Sequence, residues 1–227
     1  MSKATEESNV VPFVQPGLPA HLKDKGGLGN EDVKAGDLAI PRLSLLQKLS
    51  PQLDRGSPDY IAEAADGMYY NSVTNELMES LYVVNVMYRR TVAAFKKRDL
   101  GGGFAGNHPD KAAAIAKLEA DGLDPSHYDL TDTGNHYLLV LDGEGKAKSP
   151  VIFSMSGSKM RVSNAWNSKI VSVAEDSPRF ATVWELSSVA QSNSSGSWFN
   201  TKVDYLGFAS EDLFEHAQEL YAQFSEQ

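Results

Sequence analysis

The sequence predicts a mainly β domain with added helices, an α+β arrangement in which short strands form an OB-like Greek-key barrel; a β-sandwich is the alternative architecture. Three observations carry this. Runs of β-branched and aromatic residues recur from Met68 to Phe208, separated by Gly-, Asn- and Asp-containing turns. A helix-patterned segment after Ser156 falls before the last two of these runs, where a small Greek-key barrel takes its helix. The 227 residues, 41% of them hydrophobic, can bury a full core as one elaborated domain or two small ones.

Met1 to Asp37 is rich in Gly, Pro, Ser and charge and reads as a mobile arm (1–37), with a short docked piece near Leu18 to Lys23. Order is expected from Leu38. LAIPRLSLLQKLSP fits a helix through Leu43, Leu46 and Leu49 or an extended segment through Ile40, Leu43 and Leu45, and Pro41 interrupts either. Met68 to Val73 and Ser80 to Tyr88, joined by Thr74 to Glu76, read as a hairpin, with a further strand from Val92 to Lys97 that ends at Gly101 to Gly103. KAAAIAKLEAD, Asp110 to Asp121, is strongly helix-forming, with Pro109 suited to a first turn and Gly122 to a stop. It makes an insertion around 109–122 within a domain spanning 38–208. His136 to Leu141 and Pro150 to Met155 read as a second hairpin through Asp142 to Gly145.

SGSKMRVSNAWNSKIVSVA is the next helix, capped by Ser156 or Ser158, with Val162, Ala165, Trp166, Lys169 and Ile170 on one face. Phe180 to Leu186 and Trp198 to Phe208 are strands joined by a loose, Ser-rich loop. The last segment (209–227) holds a helix, Glu211 to Phe224, with Leu213, Phe214, Ala217, Leu220, Tyr221 and Phe224 in one stripe. No Lys or Arg follows Lys202, so this end is acidic.

Composition limits the function classes. Without cysteine there are no disulfides, thiolate ligands or thiol nucleophiles, which fits a reducing cytoplasm. No apolar run reaches the ~20 residues of a membrane span and no signal-peptide pattern opens the chain, so a cytoplasmic protein without membrane contact is expected. The five histidines are scattered without metal-ligand spacing, Ser154, Ser156 and Ser158 lack a nucleophile elbow, and the glycine run lacks the Lys-Ser or Lys-Thr of a phosphate loop. No cofactor, metal or catalytic residue is called for, and a non-enzymatic role is expected.

A binding role has residues to stand on. In a chain of net charge -9, Arg89, Arg90, Lys96, Lys97 and Arg98 crowd one stretch free of acids and flanked by Tyr88 and Phe95. Trp166 with Lys159, Arg161 and Lys169 makes a second set of ring plus cations, and Trp198 with Lys202 a third. A ring stacked on a base contributes ~1–3 kcal/mol, and each neutralised phosphate adds a salt-sensitive increment. The competing reading is a solvated basic rim with core tryptophans, which is the reading given to Trp184 in FATVWEL. Period-two alternation also puts Arg89 and Arg90 on opposite faces, so only a subset of the basic stretch can face one ligand.

The GSKMRV and WN segments between Gly157 and Asn167, the late WFNTKVDYLGF strand and the acidic C-terminus resemble phage-encoded single-stranded DNA-binding proteins of the OB type; IPRLSLLQKLSP is similar to segments of tailed-phage proteins. The resemblance covers Leu38 to Phe208. It implies coating of single-stranded DNA in phage DNA replication or recombination in the host cytoplasm, with the acidic end recruiting replication or recombination proteins or guarding the groove. That family's tail is disordered and densely acidic, whereas Glu211 to Phe224 is patterned as a helix. Leu213, Phe214, Leu220, Tyr221 and Phe224 are therefore read as a face for a partner or for a homo-oligomer. The alternative function is a phage virion structural or assembly protein that uses the arm and the terminal helix for subunit contacts.

Overall fold

The basic stretch belongs to one long strand around which the sheet is built. A computed structural model describes residues 39–194 and 196–225, with Gly29, Glu31 and Asp32 at a turn; the arm expected over 1–37 otherwise lies outside the described residues. From Ile40 onward the chain forms β1 (Arg42–Leu45), β2 (Tyr69–Asn71), β3 (Leu77–Met78), β4 (Ser80–Lys96), β5 (Phe104–His108), α1 (Lys111–Ala120), β6 (Tyr128–Leu141), β7 (Ala147–Ser156), α2 (Lys159–Val173), β8 (Thr182–Asn193), β9 (Gly196–Phe208) and α3 (Glu211–Ser225). The sheet order is β3-β2-β1-β7-β6-β4-β8-β9, with β5 added to β4. β4 pairs with β6 along most of its length, with β8 over its first part and with β5 over its second.

Alternation along these strands builds two cores. Val83, Leu138 and Val140 face inward with Leu43, Phe153, Trp184 and Val203, and α2 lays Trp166 and Ile170 onto them. Val84, Leu139 and Leu141 face outward, where α3 covers them with Leu213, Ala217 and Phe224. An extra residue, Val86, bulges β4 between Asn85 and Met87 and bends the strand. The sheet is strongly curled into a half-barrel, an α+β, OB-like arrangement in a single sheet. Its ends approach each other at Gln47, whose side-chain amide donates to Phe199 O and accepts from Phe199 N, both at 3.0 Å. Tyr69 Oη also crosses the gap, donating to Ser187 O at 2.9 Å. Gly67 lets Phe199 fit here: at φ +87° it has no side chain, and a Cβ would stand 2.8 Å from the Phe199 ring.

Several elements differ from expectation. The hairpin expected between Met68–Val73 and Ser80–Tyr88 closes earlier: the turn through Thr74 to Glu76 forms, with Asn71 Oδ1 accepting from the Val73 and Thr74 amides, but its second arm is Leu77–Met78 and not β4. β2 pairs instead with β1 and the two-residue β3. The ambiguous Leu38 segment is extended at Arg42–Leu45 and forms a parallel pair with β7. The Ser-rich loop is a ribbon: β8 and β9 pair in register out to Asn193 and Gly196. Its β8 residues from Val189 on are exposed, so polar residues suit both faces and no alternation marks the strand. α1 starts from Asp110, whose carboxylate accepts from Ala113 N, so Pro109 precedes the cap. Ser158 stands before α2 but makes no side-chain cap.

Candidate nucleic-acid interface

α2 leaves β7 through Gly157, whose φ of +56° favours glycine at this corner. The helix then drives Trp166 into the inner core, stacked on His136 at 4.6 Å and edge-on to Trp184 at 6.1 Å. Between the outer flank of α2 and the β8–β9 ribbon lies a cavity of about 460 Å3, lined among others by Arg161, Trp166, Lys169, Gln191, Trp198 and Asn200. Among the described residues no carboxylate lines it. Arg161 and Lys169 form no ion pair among the described residues, and Lys169 is held in place by donating to Val203 O at 2.9 Å. The indole N–H groups of Trp166 and Trp198 are buried without a hydrogen-bond partner among the described residues and do not reach the cavity surface. Cations free of carboxylates suit a ligand rich in acceptor oxygens.

A second cavity, of about 310 Å3, lies on the outer face of the sheet. Gly101, Gly102 and Gly103 all have positive φ, and the bend they make returns β5 onto β4. Phe95 and Phe104 thereby meet, ring centroids 5.4 Å apart, yet stay 45% and 57% exposed. Arg42, Asn107, Thr133, Ser154 and Ser156 complete the wall. Asn135, which donates to Thr91 Oγ1 at 2.8 Å and accepts from Ser154 Oγ at 2.7 Å, fixes the neighbouring polar side chains. Where β1 and β7 part, a cleft of about 340 Å3 shares Arg42 and Ser154 with this cavity and adds Lys159. Burial holds the Lys159 ammonium below its ordinary pKa.

The three sets nominated from sequence thus fare differently. Lys169, Arg161 and Trp166 of the second meet Trp198 of the third in one cavity; Lys159 stands in the cleft. Lys202 points elsewhere, ion-paired with Asp204 at 2.7 Å. The first set is divided by the alternation of β4. Arg89 donates to Phe224 O at 2.8 Å and lies over Tyr137, while Arg90 pairs with Asp132 at 3.3 Å. Tyr88 is half-buried between the Arg179 guanidinium and His136. Phe95 enters the outer cavity, whereas Lys96, Lys97 and Arg98 follow it without lining any of the three spaces. Trp166 is 1% exposed, so it forms a wall and cannot stack flat on a base; Trp198 is half-buried.

Phe104 closes the ring-and-cation stretch Tyr82 to Phe104 that the sequence offers, whereas Arg42, Gln191 and Asn200 are site residues the sequence reading does not name. For Arg42 the signal was present, since Arg42 and Ser44 alternate with Leu43 and Leu45, a period-two pattern that assigns Arg42 to a polar face. The stripe on α3 turns to the chain's own sheet: Leu213 and Phe224 are buried, Phe214 and Leu220 pack beside them, and Tyr221 rests against Phe180.

Behind Trp166 runs a buried polar chain. Arg179 Nε donates to Asn85 Oδ1 at 2.9 Å, which turns the Asn85 amide nitrogen toward His136 Nδ1, also at 2.9 Å. Nδ1 must accept, so Nε2 carries the proton and donates to Ser163 Oγ at 2.8 Å. In this tautomer His136 cannot take a proton from Ser163, and the chain works as a fixed support for the Trp166 ring. Gly134 makes room for it, because a Cβ there would stand 2.7 Å from Ser163 Oγ.

The family model for the Pam3 phage gp34-like protein matches residues 6–227. The chain belongs to this family. As a Pam3 phage gp34-like protein it is a phage protein, in keeping with the phage side of the resemblance. No curated protein and no solved structure matches it. Among the described residues no helix is long and apolar enough to cross a membrane, and no group of His, Asp and Glu is placed to hold a metal ion.

Proposed function

We propose that this phage protein binds single-stranded DNA without sequence preference, as a non-enzymatic factor in phage DNA replication or recombination. The observation that carries the reading is the cavity between α2 and β9. Two stretches nominated independently for their rings and cations, in a chain of net charge -9, bring Arg161, Lys169 and Trp198 to one space that no described carboxylate lines. Its volume lies within the ~300–1,000 Å3 typical of ligand sites, enough for a nucleotide rather than a duplex. Trp198 is the stacking ring, Trp166 the wall, and the two cations take phosphates.

The test is binding of fluorescein-labelled oligo-dT, followed by anisotropy and by tryptophan quenching at two salt concentrations. Trp198→Ala is expected to weaken binding ~5- to 150-fold with the salt dependence kept. Neutralising Arg161 and Lys169 together is expected to lower the salt slope by about 1.4, at ~0.7 per phosphate contact on a single strand. Arg90→Gln, which removes a cation already paired to Asp132, serves as the control and leaves binding unchanged. Absence of salt-sensitive binding by the wild-type protein, accompanied by defined oligomers, would favour the virion assembly role instead.

A further inference from the structure

The cavity between α2 and the β8–β9 ribbon, on the inner side, and the outer cavity both reach the corner between β7 and α2: Ser156 lines the outer one and Gly157, the next residue, lines the inner one. The cations around this corner are Arg42 at the outer wall, Lys159 in the cleft and Arg161 at the inner wall. None of the three has a carboxylate partner among the described residues, although acids outnumber bases, 30 to 21. The first turn of α2 opens at the same corner with no acidic residue in it and no side-chain cap, so its amides add to the positive potential there. At either end stands an aromatic station, Trp198 inside and the exposed Phe95–Phe104 pair outside.

We infer that one bound strand turns this corner, with a base against Trp198, a second base against Phe104 and Phe95, and a phosphodiester between them held by Arg42, Lys159 and Arg161. The inference rests on the single-strand reading above and extends it: the outer cavity becomes a second base subsite. Its polar lining, Asn107, Thr133, Ser154 and Ser156, supplies donors and acceptors that any base edge can use, which keeps the subsite tolerant of sequence. The exposure of both phenylalanines fits this use, since a flat apolar surface in water gains most from being covered.

A length series separates this proposal from the one it rests on. Labelled oligo-dT of about three, eight and twenty nucleotides brackets the ~4–16 nucleotides covered by a single OB-type domain. Wild-type affinity is expected to rise steeply once the oligonucleotide can reach both stations. Phe104→Ala is expected to abolish that rise, a loss of about 10-fold or more on the longest oligonucleotide with the shortest unaffected. Phe104→Leu should behave like Phe104→Ala, Phe104→Tyr should restore the rise, and Arg42→Gln should lower the salt slope on the long oligonucleotide alone. Phe104 is largely exposed, and matching thermal melts verify that the variants fold. If wild-type binding rises with length and Phe104→Ala retains the rise, the second subsite is overturned while the single-strand reading stands. Binding without any rise overturns it equally, and absence of binding at every length removes both.

Discussion

His136 is fully buried, and burial together with the charge of Arg179 pushes its pKa down to about 3. In the unfolded chain the same imidazole titrates near ~6.5. Below that pH the unfolded state binds a proton that the folded state refuses, so stability is complete above about 6.5 and declines as the pH falls toward 3, by up to ~1.4 kcal/mol per pH unit. Urea unfolding between pH 7 and pH 5 should show this loss, and His136→Gln should flatten it while lowering stability at pH 7. A wild-type midpoint that does not move across that window contradicts the buried, neutral His136. The same residue explains what a local reading could and could not see. Trp184 reads as core because apolar residues surround it in sequence, and it is 0% exposed. Trp166 is just as buried, but its burial depends on the His136 ring, a partner on another strand that no window around residue 166 contains.

At the scale of elements, α3 ends without a basic residue in its last turn, which would leave its terminal carbonyls facing an acidic surface. Arg89 of β4 supplies the missing cation from across the core by donating to Phe224 O. A charged donor at a helix C-terminus contributes ~0.3–2 kcal/mol, so Arg89→Gln should lower the thermal midpoint by a few degrees and speed amide exchange at the end of α3. Unchanged exchange there would show that the contact does not support the helix. α1 and α3 were legible because propensity or a regular apolar stripe marks them. β4 was read in pieces because Arg89 and Arg90 interrupt its apolar pattern; they mark where alternation sends two cations to opposite faces of an unbroken strand. The strands Phe180 to Leu186 and Trp198 to Phe208 were legible, but the distal ribbon between them, expected as a loose loop over Ser187 to Ser197, was not, because with water on both sides its sequence carries no period.

For the whole molecule, the fold class could be read from composition and period, but the order of strands could not. The parallel pairing of β1 with β7 joins segments more than a hundred residues apart, and nothing in either announces the other. The site was half legible: rings and cations on α2 and β9 were identified, while the outer cavity needed Arg42 from the start of the domain to meet Phe104 after the glycines. One small device follows from the way the sheet ends. β9 is a terminal strand, and a row of unpaired amides and carbonyls invites another chain to add itself. At Phe199 that invitation is already answered, since the Gln47 amide impersonates a neighbouring strand by giving one hydrogen bond and taking another. Gln47→Ala should therefore open the edge and produce concentration-dependent oligomers by light scattering, whereas a protein that stays monomeric would show that the edge is guarded by other means. Where barrels end their growth by closing backbone to backbone, this chain answers its open edge with side chains, Gln47 at Phe199 and Lys169 at Val203, so that the limit of the sheet is written in residues rather than in topology.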